Sequence, residues 1–260
     1  MISPLAYVDK EARIGANVTI HPFAYIDKNV EIGDNCTIMP YASILSGTRM
    51  GTDNIIYQGA IIGATPQDFK FKGEDPILLK IGNHNTIREK VILNRGTNTT
   101  DCTIIGDGNF LLEGVHLAHD THLGSHCVLG NGAKTAGNCI IDDKAILGSE
   151  VIVKHGCRIG SWALLRDGCR ANKDVPPYIV AAHNPISYYG INALILAKEG
   201  HLTENVIDNI AKCYRQIYQC GTSLENALRR IKDIIPLSPE ITYLVDFIEQ
   251  SKKGIIGTTM

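Results

Sequence analysis

Four histidines crowd into the run VHLAHDTHLGSH at 115–126: His116, His119, His122 and His126. Imidazole exchanges protons near neutral pH and is also the commonest metal ligand, so the run suggests either acid–base or metal chemistry. The 260-residue chain also carries eight cysteines, which invite a disulfide or a zinc reading. Which chemistry applies depends on the elements that position these side chains.

Composition narrows the field. Apolar residues are 44% and charged ones 20%, as in a globular chain, and a net charge of −2 argues against coating nucleic acid or an anionic membrane. No apolar run approaches the ~18 residues of a membrane span, and MISPLAYVDKEARIG lacks the apolar centre of a signal peptide. A soluble, cytoplasmic protein is expected.

An aliphatic residue recurs every six positions from Ile2 to Ile62, breaks across 65–80 (TPQDFKFKGEDPILLK), and resumes from Ile81 to Ala171 with Thr99 and Thr135 as weak rungs. A second column, four places on, is mostly small: Val115, Thr121, Cys127, Ala133, Cys139, Ala145. A period of six fits neither a helix nor a long strand; it predicts short strands joined by tight corners in a parallel β-helix. Glycine after the aliphatic, as in Ile14-Gly15 and Leu123-Gly124, suits a crowded corner. Five cysteines (Cys36, Cys127, Cys139, Cys157, Cys169) fall in the small column, where thiols act as small buried hydrophobes.

The repeat is expected to end near Asp174-Val-Pro-Pro-Tyr178, because two prolines stop strand pairing. Helices are expected at about 188–199, 203–220, 223–234 and 238–252, with Thr203, Ser223 and Ser238 as N-caps and Cys213 and Cys220 on helical segments. The domains are therefore 1–186, a hexapeptide β-helix with the inserted loop 65–80, and 187–260, a C-terminal helical domain.

This register bears on the histidines. His116 and His122 are six apart, on neighbouring faces, so one subunit cannot easily offer both to one metal; ligands shared across a subunit interface remain an alternative. With three hexads per coil, residues 18 apart stack at roughly 4.8 Å, which puts His119, Gly137 and His155 in one column. His119 can then act as a base, and the unshielded N–H of Gly137 as a donor to an oxyanion.

The hexads marked I-G-x-x, the insert P-Q-D-x-K-F-K-G-E, the stretch I-R-E-x-V-x-x-x-R-G-T (87–97), A-H-D (118–120), D-V-P-P-Y and the helical tail together resemble the UDP-N-acetylglucosamine O-acyltransferase family. The resemblance spans nearly the whole chain. It implies a left-handed β-helix and a homotrimer with sites between subunits. It further implies an acyl-carrier-protein 3-hydroxyacyl thioester as donor, UDP-N-acetylglucosamine as acceptor, and no metal or cofactor. The same resemblance makes His119 the base, Gly137 the oxyanion donor and Asp120 the carboxylate supporting the histidine. It places Gln67, Asp68, Lys70, His116, His155 and Asn192 at the substrate, with Lys70 facing phosphate.

Several positions depart from the family pattern. Asn94 and Asn138 stand where histidines are common, Leu194 and Lys198 where glutamate and arginine are usual, and His155 where glutamine is. Asn138 and Lys198 are therefore expected to bind substrate differently, since asparagine cannot be cationic and lysine lacks arginine's fork. This leaves open a 3-amino rather than 3-hydroxyl acceptor. Arg166 and Asp167 are candidates for setting acyl length. A coenzyme A-dependent hexapeptide acetyltransferase would lack the 65–80 motif and this tail, and a non-catalytic solenoid would show regular outward columns that are missing here.

Overall fold

Most hexads contribute a two-residue strand whose second member points inward, a few a strand of three or four residues, and three strands complete one turn of a triangular coil. The computed structural model describes residues 1–73, 78–97 and 102–258. Among the described residues strands stack on three walls of nine, eight and ten strands, all parallel to their neighbours except the last strand of the third wall. Successive coils pair residues 18 apart: Ile26 with Ile44, Leu117 with Thr135, Leu147 with Leu165. The chain is a left-handed parallel β-helix followed by four helices. The inward aliphatics Ile20, Ile38 and Ile56 stack on one wall, fully buried. The expected six-residue period is thus a packing period.

Corner chemistry explains the glycines. A Cβ on Gly124 would come within 2.4 Å of the Asp143 carboxylate one coil on, while that carboxylate accepts the N–H of Ser125 at 2.7 Å. The cysteines of the small column are buried, and all eight are free thiols. Burial pushes Cys127 and Cys139 up to about 12, so they remain neutral packing groups.

A buried amide ladder occupies the same small column in the middle coils, and the hexad pattern alone did not single it out. Asn54 Oδ1 accepts from Asn85 N and Nδ2, Asn85 Oδ1 accepts from Asn109 N, and Asn109 Oδ1 accepts from Cys127 N at 2.8 Å. Replacing Asn85 by alanine removes the acceptor of a buried amide. It is expected to cost about 1–3 kcal/mol, read as a lowered midpoint in chemical unfolding; an unchanged midpoint would show that the ladder is dispensable.

Three sequence expectations are corrected. The prolines do not end the sheet: Ile179–Ala182 adds a further strand, its Val180 paired with Leu164, because both prolines precede the strand and leave its amides available. Residues 188–191 are not helical. They belong to the strand Ser187–Ile191, antiparallel to Ile179–Ala182, so the boundary expected at 186/187 falls within a strand pair. The register also departs from the hexad count around 99. Leu93 pairs with Leu117 rather than Leu111, and the strands Ile92–Asn94 and Thr103–Ile105 already stand on consecutive walls. Eight residues, 95–102, therefore connect strands on consecutive walls where an ordinary corner has four; of these, 98–101, Thr99 included, lie outside the described residues, as do 74–77 of the first insert.

The helices are α1 (Ala193–Lys198), α2 (Glu204–Tyr218), α3 (Leu224–Ile234) and α4 (Pro239–Glu249). Thr203, Ser223 and Ser238 cap the last three as expected, each accepting an N–H with its hydroxyl. Cys213 is buried in α2, whereas Cys220 lies beyond its end and is exposed. The hydroxyl of Tyr243 on α4 donates to Asp142 and accepts from Ser161 N, tying the helices to the β-helix. Among the described residues no helix is long and apolar enough to cross a membrane.

Candidate active site

Both long connections run between a strand of the first wall and a strand of the second. The 65–78 segment follows the strand Ile61–Ala64, and 95–102 follows Ile92–Asn94. One coil further, the corner between these walls is Ala118-His119-Asp120-Thr121, and the next contains Gly137. The register thus gathers two loops and the histidine column on one edge.

His119 and Gly137 meet as their spacing predicts. A Cβ added to Gly137 would lie 2.4 Å from His119 Cε1 and 2.7 Å from Nε2, so the imidazole rests on the bare Cα. His119 Nδ1 is 2.8 Å from Asp120 Oδ2. An ionised carboxylate only accepts, so Nδ1 carries the proton and Nε2 keeps its lone pair. Asp120 is 7% exposed and also accepts from Thr97, N to Oδ1 at 2.8 Å and Oγ1 to Oδ2 at 2.7 Å.

Among the described residues some of the corner amides are bonded and others, that of Gly137 among them, are free. Two places after the inward aliphatic, Ser125 N–H is taken by Asp143 and Ser149 N–H by Asp167. Gly137 N–H donates to no atom among the described residues; one coil on stands His155, which is exposed. A free amide beside an imidazole whose lone pair is unused combines an oxyanion donor with a general base.

The remaining sequence candidates divide into two groups. Asp68 and Lys70 line a cavity of about 250 Å³ together with Phe71, Lys72 and Thr97, which connects the insert to the Asp120 clamp. Gln67 is exposed on the same insert but does not line this cavity. His116 projects from the first wall, with Nε2 2.7 Å from Asn94 Oδ1. Burial, and then nearby Lys134, lower its affinity for a proton and keep it neutral. Asn138 is exposed in the left-handed region (φ 59°), which asparagine tolerates, and its N–H donates to His119 O.

Asn192 and Lys198 are not brought to this corner. Asn192 precedes α1 at 5% exposure, its amide donating to Trp162 O at the corner between the second and third walls. Lys198 is exposed in the last turn of α1. Of the acyl-length candidates, Asp167 is engaged by Ser149 N–H, and Arg166 stacks 4.2 Å from the Tyr189 ring.

His116, His119, His122 and His126 are spread around one coil, over two walls and two corners. Among the described residues no group of three or more His, Cys, Asp or Glu is placed to hold a metal ion.

Residues 11–40, 29–64 and 102–137 match the bacterial transferase hexapeptide profile of six repeats, and 174–256 match the second domain of UDP N-acetylglucosamine O-acyltransferase. The acyl-[acyl-carrier-protein]–UDP-N-acetylglucosamine O-acyltransferase of Thermodesulfovibrio yellowstonii is 39% identical over 98% of this chain and 96% of its own. The chain belongs to the UDP-N-acetylglucosamine O-acyltransferase family. It is an acyltransferase. The crystal structure of the Bacteroides fragilis UDP-N-acetylglucosamine acyltransferase superimposes with a TM-score of 0.96 at 51% identity, covering 98% of this chain and 100% of that one. The corresponding enzyme from Francisella novicida gives 0.95 at 34%, covering 99% and 94%.

Within this family frame, Asn94 has an internal use that sequence reading missed. It is fully buried, donates to Thr65 O at 2.7 Å and accepts from His116, so it ties the base of the insert to the first wall. Thr97 was likewise not singled out, although it ends the quoted R-G-T. Its partner Asp120 is 23 residues away, and a hexad count that treats 95–102 as a regular corner hides that contact.

Proposed function

We propose that the chain transfers a 3-hydroxyacyl group from acyl carrier protein to the 3-hydroxyl of UDP-N-acetylglucosamine, the first step of lipid A biosynthesis. The observation that carries this reading is the His119 ring lying on Gly137 with Nδ1 held by Asp120. His119 Nε2 takes the proton of the sugar hydroxyl as its oxygen attacks the thioester carbonyl. The Gly137 N–H receives the oxyanion of the tetrahedral intermediate. Collapse expels the thiolate, which takes the proton back from Nε2, leaving an acyl sugar and a free carrier thiol. Asp120 holds the imidazole and stabilises its cationic form. Lys70 and Lys72 on the insert suit the anionic part of a sugar nucleotide, with Gln67 and Asp68 offering polar contacts. His116 and Asn138 flank the same column, and His155 is its next member.

A homotrimer follows from the same reading. Asn192 and Lys198 stand at a different corner from His119, so a site using both needs a second copy of the chain. Phe110 and Val128 leave an apolar strip on the third wall for such a partner, each 37% exposed. The donor's carrier protein and the eight free thiols both fit a cytoplasmic setting.

Purified protein incubated with UDP-N-acetylglucosamine and a series of 3-hydroxyacyl carrier proteins is expected to yield the 3-O-acyl sugar nucleotide. Light scattering is expected to give three times the 28.3 kDa chain mass. No product at any chain length would sink the reading. Turnover with acyl coenzyme A alone, or only with a 3-amino acceptor, would replace it with one of the related acyl transfers.

A further inference from the structure

We infer that Thr97 is a positioning residue for the reaction, holding Asp120 so that Asp120 can hold His119. The inference rests on the roles proposed above for His119 and Asp120.

Thr97 engages both carboxylate oxygens of Asp120. Its N–H donates to Oδ1 at 2.8 Å and its hydroxyl to Oδ2 at 2.7 Å, the oxygen that also takes His119 Nδ1 at 2.8 Å. Without the hydroxyl, Oδ2 would be held only by the imidazole it has to orient, so carboxylate and ring could turn together about the Oδ1 contact. The Asp120 side chain is 4% exposed, so water is poorly placed to replace a lost donor. The Asp120 backbone is fixed separately, through its N–H to Thr103 Oγ1 at 2.9 Å. The hydroxyl of Thr97 therefore acts on the orientation of the carboxylate, not on the path of the chain.

The segment that delivers Thr97 is anchored to both ends of the first insert. Arg95 N–H donates to Ala64 O and its Nη1 to Ser46 O at 2.7 Å, while Gly96 N–H donates to Leu78 O. Thr97 also lines the cavity beside Asp68, Lys70 and Lys72. One residue thus forms part of the proposed substrate cavity on one side and orients the carboxylate–imidazole pair on the other.

Thr97→Val deletes the hydroxyl while keeping shape and backbone amide. It is expected to lower kcat by about 10–100-fold with KM within about twofold, since misplacing a reacting group by ~1 Å costs about 10²-fold. Thr97→Ser keeps the donor and should restore most of the rate. In an Asp120→Ala background, Thr97→Val should cost almost nothing, because the group it positions is gone. Independently of turnover, nitrogen chemical shifts of His119 should report the Nδ1-protonated form in the parent and a tautomer mixture in Thr97→Val.

Wild-type kcat in a folded Thr97→Val protein, or an equal cost with and without Asp120, overturns the inference. If the valine variant does not fold, Thr97→Ala is the second hydroxyl deletion and is held to the same outcomes. Full activity of His119→Ala would instead sink the proposed mechanism, so the two failures are distinguishable.

Discussion

His119→Ala is expected to lower kcat by about 10²–10⁴, the usual contribution of a positioned general base. Its Nε2 is the atom left with a lone pair once Nδ1 is bonded to Asp120, and it lies against the backbone whose N–H would receive the oxyanion. The ring sits at an outer corner, not among the inward aliphatics, so the fold should persist, with a stability cost confined to the lost bond to Asp120. Steady-state kinetics with the carrier-protein donor, alongside thermal unfolding, checks both halves. A folded variant at the parental rate would remove His119 from the mechanism.

Gly137→Ala is the second substitution with a large expected effect, and its cause is steric. Gly137 does not occupy the left-handed region, so alanine meets no backbone penalty there. The new methyl group would fall 2.4 Å from His119 Cε1, well inside contact distance, and the imidazole must swing away. Either the bond to Asp120 breaks or Nε2 leaves the position from which it takes the proton. An activity loss of about 10²-fold or more is expected, comparable with misplacing a reacting group by ~1 Å. Imidazole tautomer and kinetics measured on the same variant separate this from loss of the oxyanion amide. An undisturbed ring with full activity would mean that the open face of Gly137 is incidental.

Much of this was legible in the sequence because the β-helix is nearly one-dimensional. A strict period of six identifies the inward column, three hexads make a coil, and a spacing of 18 then becomes a contact. His119 and Gly137 were paired by that arithmetic alone, and the cysteines were explained as packing. The resemblance to a known family supplied Asp120 and the insert residues, which periodicity does not reach.

The arithmetic failed wherever the chain left the repeat. The register at 99 was miscounted because a corner excursion and a hexad can have compatible lengths, and only the pairing of Leu93 with Leu117 separates them. The strand Ser187–Ile191 was read as helix because its contribution comes from pairing with Ile179–Ala182, not from its own pattern. The Asn54–Asn85–Asn109 ladder escaped notice because Asn54 and Asn85 accept from residues 31 and 24 positions on, not at the 18 of the regular repeat.

The sequence by itself therefore determined the β-helix, the inward columns and the contact of His119 with Gly137, since all three depend on a fixed spacing repeated along a stacked chain. Only the tertiary structure decided that both inserts follow strands of the first wall on the histidine's edge, that Thr97 clamps Asp120, and that the Gly137 amide has no carboxylate partner among the described residues. Those facts depend on which side chains meet across coils after irregular excursions, and local periodicity carries no information about such contacts.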